Sequence, residues 1–186
     1  MKPQQTIVLV EGASDQAAVE MLARRRGRDL GDEGISVVPM GGATNIGHFL
    51  RRLGPAGEDV RLAGLCDVGE EAKFRRGLEQ AGLGTNLTRE AMETVGFFVC
   101  VVDLEDEMIR SLGAGAVVEV IQAQREIGSF RIFQHQPAQR ERTIEAQLRR
   151  FLGTHSGRKI AYGALLAEAL DLDRVPRPLE ALLAYI

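Results

Sequence analysis

Apolar positions along this chain fall into two rhythms. In the first part they form short runs, TIVLVE (6–11), ISVVPM (35–40), RLAGLC (61–66) and FFVCVV (97–102), without strict alternation. That is the pattern of strands buried on both faces. Between the runs the spacing is helical: Ala18, Val19, Leu22 and Ala23 recur within 15–26 and Gly27 follows, Ile46, Phe49, Leu50 and Leu53 form one stripe in 44–53, and a weaker helix spans 71–81. Strand and helix in alternation predict an α/β fold, a mostly parallel four-stranded sheet flanked by helices. Right-handed crossovers then bring every strand's C-terminal end to one edge.

After residue 104 the second rhythm takes over. LEDEMIRSL, AVVEVIQAQREI, ERTIEAQLRRFL and GRKIAYGALLAEAL are helical in period, and LEALLAYI is a short apolar helix at the end. SFRIFQH (129–135) alternates and is open to a short strand instead. The expected organisation is an α/β core over 1–108 and a helical C-terminal extension over 109–186 packed on it. No repeat, low-complexity segment or long linker interrupts the chain.

Composition narrows the classes. With 186 residues, 45% hydrophobic and 26% charged, the chain can bury one full core. It has no twenty-residue apolar run, and MKPQQ leads into the first strand without a signal-peptide core. Cys66 and Cys100 lie in apolar runs without metal-ligand spacing and read as buried thiols. A cytoplasmic protein with no membrane contact is expected. Net charge is only −3, but residues 1–109 carry 12 basic and 18 acidic side chains, and 110–186 carry 11 and 8. An acidic first part and a basic stretch at 125–159 suit a metal site beside a polyanion track. The plainer account of that stretch is a solvated helix face laced with pairs such as Glu145–Arg149.

The acids add chemistry to this scheme. Glu11 ends the first strand and Asp15 opens the next helix; Asp67 follows the third strand, with Glu70 and Glu71 behind it; Asp103 follows the fourth, with Glu105, Asp106 and Glu107 after it. The second strand delivers Gly41-Gly42, where backbone can approach a ligand. Taken singly, these acids read as helix caps and first-turn residues. Together at one edge they repel one another, and a hard divalent cation removes that conflict. Two such ions about 3.5–4 Å apart can serve phosphodiester cleavage. Other phosphate chemistries lack their motifs: there is no GxxxxGK[ST], no GxGxxG after the first strand and no Asp-x-Asp-x-Thr loop. His48, His135 and His155 are scattered and read as structural or surface residues.

Strand-EGASD-helix, a strand ending in Gly-Gly and a strand ending in an acidic turn resemble the Toprim domain of topoisomerases, primases and related nucleases. More narrowly, VVDLEDEM and GRKIAYGALLAEAL resemble the C-terminal Toprim region of OLD (overcoming lysogenization defect) nucleases, and the resemblance spans about 6–170. It implies metal ligation by Glu11, Asp15, Asp67, Asp103 and Glu105, with Glu107 a neighbour. It also implies catalytic roles for Glu11 and Asp67, and for Lys159 at the scissile phosphate. The cofactor would be one or two Mg²⁺ or Mn²⁺ ions.

The activity this resemblance implies is that of a hydrolase, an endonuclease that nicks DNA without sequence preference by metal-activated water, RNA remaining open as substrate. Arg142, Arg149, Arg150 and Arg158 are the candidate nucleic-acid contacts, with binding that falls steeply with salt. Tyr162 and Tyr185, the two tyrosines, lie in C-terminal helical stretches, which speaks against a covalent tyrosine mechanism. Two departures stand out: Gly69 replaces the second acid of the family's Asp-x-Asp turn, and nothing here binds ATP, whereas familiar OLD proteins join this domain to an ATPase. The chain therefore reads as a free-standing Toprim unit, self-sufficient or served by a separate ATPase chain, in an oligomeric state left open. Two other readings stay open: a catalytically weak Toprim module that binds metal or nucleotide or docks on an ATPase, and a nucleotidyl transferase.

Overall fold

Every side chain of Thr6–Val10 is buried, and the rest of the fold is laid on that strand. The computed structural model describes residues 5–154 and 156–186. Its elements run β1 (Thr6–Val10), α1 (Ala13–Arg25), β2 (Ile35–Pro39), α2 (Ile46–Leu53), β3 (Arg61–Asp67), α3 (Glu71–Gln80), α4 (Arg89–Thr94) and β4 (Phe97–Cys100). Six helices complete the chain: α5 (Leu104–Leu112), α6 (Ala114–Ala123), α7 (Ile127–Gln134), α8 (Ile144–Leu152), α9 (Ser156–Ala169) and α10 (Arg177–Tyr185).

All strand pairs are parallel, in the order β2-β1-β3-β4. From β1 the chain crosses to one side to make β2, then to the other to make β3. The crevice beyond the C-terminal ends of β1 and β3 is therefore the switch point where such sheets bind ligands. Successive residues of a strand face opposite layers. Val8, Val10, Ala63, Leu65, Phe98 and Cys100 pack under α1 and the helices from α5 onward. Ile7, Leu9, Leu62, Cys66, Phe97 and Val99 face α2, α3 and Met92 of α4. The residues beyond 108 thus supply most of one of the sheet's two covering layers.

Arginines near the end of α1 tie that layer down. Arg25 Nη1 donates to Ala167 O at 3.1 Å, and Arg28 Nη1 to Leu183 O at 2.7 Å, satisfying carbonyls at the C-terminal ends of α9 and α10. The outer edge of β2 is blunted against strand addition: Leu30 O accepts from Ile35 N, Gln16 Nε2 donates to Val37 O, and Pro39 has no N–H to offer.

Two expectations change, and one element was not anticipated. SFRIFQH is helical within α7, not a strand: Phe130 and Phe133, three residues apart, are buried, and Ile132 between them is exposed. The stretch REAMET forms α4, too short to show a period, capped by Thr88 Oγ1 accepting from Ala91 N. Asp103 does not directly follow a strand. β4 stops at Cys100, the Val101 N–H goes to Glu107 Oε1 at 2.7 Å, and Asp103 comes three residues after the strand as the N-cap of α5. Cys66 and Cys100 are buried free thiols. Among the described residues no helix is long and apolar enough to cross a membrane.

Candidate metal centre

Adjacent strand ends bring Glu11 and Asp67 together at the switch point. Glu11 Oε1 accepts from Asp67 N at 3.0 Å, so the side chain of one strand end is anchored on the backbone of the next. Gly12 is the N-cap of α1, and Asp15, in the first turn, reaches back so that its Oδ2 accepts from Gly12 N at 2.8 Å. Capping thus occupies one Asp15 oxygen and leaves the other uncommitted. Asp103 is fully engaged: Oδ1 accepts from Asp106 N at 2.8 Å, and Oδ2 takes Arg149 Nε at 2.6 Å. Glu105 is buried, and its Oε1 accepts from Ser14 Oγ and from Lys159 Nζ, each at 3.2 Å.

Asp67 differs from the others. Its carboxylate accepts no hydrogen bond among the described residues, although the side chain is partly buried. Burial, with the like charges of Glu11, Asp15, Asp103 and Glu105, pushes it up to about 8. Asp15 is pushed up to about 6 by burial and by Glu105 and Glu11, against the Gly12 N–H and Lys159. Burial, with Glu70 nearby, also raises Glu11, opposed by the Asp67 N–H. Burial opposes the charged form of Lys159, yet Glu105, Asp15 and Asp67 hold its ammonium above the ordinary value. Five acids therefore share one electrostatic field.

They do not yet form a cage. Among the described residues, no three His, Cys, Asp or Glu side chains are close enough to enclose an ion as they stand. Mutual repulsion accounts for this, each carboxylate turning to an N–H, an arginine or a lysine where one is in reach. The donor set is oxygen throughout and suits a hard divalent cation, with Asp67 and the second oxygens of Glu11, Asp15 and Glu105 as donors available without breaking a bond.

Beside the acids lies a cleft of about 530 Å³, lined by Asp103 and Glu105 together with Arg142, Arg149, Arg150 and Lys159. Arg158 stands outside it, its Nε donating to Glu126 Oε2 at 3.0 Å and its guanidinium 4.4 Å from the Phe151 ring centre. Glu107 faces β4 and pairs with Arg110 at 3.0 Å. Glu70 turns to Lys73 and Glu71 to Arg89. Tyr162 is buried with its hydroxyl on Glu126; burial and that carboxylate raise it, which leaves it unsuited to nucleophilic attack. His48 lies edge-on to Phe49, His135 accompanies the Arg131 carbonyl, and His155 lies outside the described residues. Sequence reasoning missed Ser14 as the partner of Glu105; SD after EG reads as capping, and a contact across ninety-one residues leaves no local trace.

A parallel sheet of this order, with acids delivered beside the ends of β1, β3 and β4, defines the class as a Toprim α/β fold. Its arrangement is similar to that of the C-terminal regions of OLD proteins. Residues 4–63 match the family model described as overcoming lysogenization defect protein-like, TOPRIM domain. The structure is similar to the C-terminal region of the Xanthomonas campestris pv. campestris OLD protein, with a TM-score of 0.77 and 24% identity over 98% of this chain and 92% of that one. The C-terminal region of the Burkholderia pseudomallei OLD protein matches with a TM-score of 0.72 and 21% identity, over 98% of this chain and 96% of that one. At these identities the structural likeness is one of fold. Comparison with curated proteins gives no significant match.

Proposed function

We propose that the chain is a divalent-metal-dependent endonuclease acting on DNA. The observation that carries this reading is the Asp67 carboxylate, without a hydrogen-bond partner among the described residues, set among four other acids and next to a cleft lined in part by four cations. Glu11, Asp15 and Asp67 would hold one Mg²⁺ or Mn²⁺, and Glu105 with Asp103 would complete a second position once Arg149 lets go. A bound ion would supply charge neutralisation and Lewis acidity at the phosphodiester.

The chain's own residues supply the rest. Arg142, Arg149 and Arg150 line the cleft and would bind successive phosphates without reading bases. Lys159 would place a fixed cation against the developing charge on the phosphoryl oxygens. Glu11, fixed through Oε1 on the Asp67 N–H, has one oxygen left, which would serve either the ion or a proton. In this reading the α/β core to residue 108 carries the metal ligands, and the helices after it carry Lys159 and the phosphate track.

A second reading rests on the Asp103–Arg149 pair. If that pair persists when metal is bound, one ion position remains and the domain binds without cleaving.

Supercoiled plasmid with Mg²⁺, Mn²⁺ or EDTA tests the proposal. Metal-dependent nicking by the wild type, lost in Glu11→Gln and Asp67→Asn, is the expected result. Folded protein that binds metal and never nicks would overturn it in favour of the second reading.

A further inference from the structure

Gly163 stands within α9, where glycine costs about 1 kcal/mol relative to alanine. The reason lies across the helix interface. A Cβ on Gly163 would sit 2.4 Å from the Ser14 carbonyl oxygen and 3.1 Å from Ser14 Oγ. Any side chain there would drive α9 away from the first turn of α1. Gly157 in the same helix shows the contrast, since a Cβ there meets nothing within 4 Å.

Lys159 lies four residues before Gly163, one turn earlier on the same face. Its ammonium meets Glu105 Oε1 at 3.2 Å, and that same oxygen accepts from Ser14 Oγ at 3.2 Å. The residue that α9 touches is therefore the one whose hydroxyl shares the Lys159 carboxylate. Three elements meet here: the start of α1, the first turn of α5 and one face of α9.

We propose that Gly163 is a positioning residue, and that its contact with Ser14 sets the α1–α9 spacing that holds Lys159 on Glu105. The consequence for catalysis rests on the nuclease reading; the placement of Lys159 does not.

The chain has three lysines, Lys2, Lys73 and Lys159, so acetylation by an amine-reactive ester can be followed at each by mass spectrometry in the metal-free protein. In Gly163→Ala that keeps its circular dichroism spectrum, Lys159 is expected to label severalfold faster relative to Lys73, and in Gly157→Ala at the wild-type ratio. An unchanged Lys159 rate in folded Gly163→Ala would overturn the proposal. Should Gly163→Ala be unfolded in buffer, the same labelling is read in trimethylamine N-oxide, which favours the buried state; a wild-type Lys159 to Lys73 ratio in the refolded variant would overturn the proposal.

Where the wild type nicks plasmid, Gly163→Ala should lose up to ~100-fold in rate at unchanged DNA affinity, the scale of a misplacement of about 1 Å. If the wild type does not nick, the nuclease reading fails while the labelling ratio still decides the role of Gly163.

Discussion

Asp103 at the start of α5 and Arg149 on α8, both lining the cleft, are ion-paired, with Arg149 Nε 2.6 Å from Asp103 Oδ2. Each has a second use in the proposed reaction, Asp103 toward a cation and Arg149 toward a phosphate, so the pair must open for both. Arg149→Ala should release Asp103 and tighten Mn²⁺ binding severalfold by calorimetry without DNA. The same variant should weaken DNA binding and lower the slope of log affinity against log salt by about 1.

Asp67 makes metal-free stability depend on pH. Its folded value, about 8, lies above the ordinary aspartate value of about 3.9, so between these the folded state holds more protons than the unfolded one. This contribution to stability is therefore largest below about pH 4 and is lost as pH rises toward about 8. Melting in EDTA should show that decline, and Asp67→Asn should flatten it. Mg²⁺ displaces the proton, so its stabilising effect on the wild type should grow between about pH 6 and about pH 8.

Gly69 occupies the place of the missing second acid in the turn after β3, and a Cβ there meets nothing within 4 Å. Gly69→Asp should fold and bind Mn²⁺ severalfold more tightly than the wild type by calorimetry. Unchanged affinity would show that this turn does not face the ion.

Gly64 is needed for packing in the centre of the sheet. A Cβ there would lie 2.6 Å from the Phe97 ring on β4 and 3.0 Å from Leu9 O on β1. Gly64→Ala should cost about 1–3 kcal/mol in chemical denaturation, the scale of overpacking in a filled core.

Burial on both faces is also what made β1, β3 and β4 legible. Strands of that kind appear as apolar runs, so they and the acids beside their ends could be read off the chain, whereas β2, at the sheet edge, exposes Ser36 and Pro39 and is not buried on both faces. Period becomes ambiguous when a helix is short: α4 has one buried residue, Met92, and α7 spaces Phe130, Ile132 and Phe133 so that either period fits. Charge alone could not tell Arg149, in the cleft, from Arg158, held on Glu126 and Phe151. The Ser14–Glu105 and Ser14–Gly163 contacts join distant segments, and only the glycine within a helical pattern hinted at the second.

In the proposed site, the acids at the β1–β3 switch point hold a divalent cation through Asp67. Titrating Mn²⁺ into wild type and Asp67→Asn, with free ion followed by electron paramagnetic resonance, tests it most directly. One or two bound ions are expected in the wild type, with fewer or weaker ones in a folded Asp67→Asn. Equal Mn²⁺ binding by the two proteins, or none by the wild type, would contradict it.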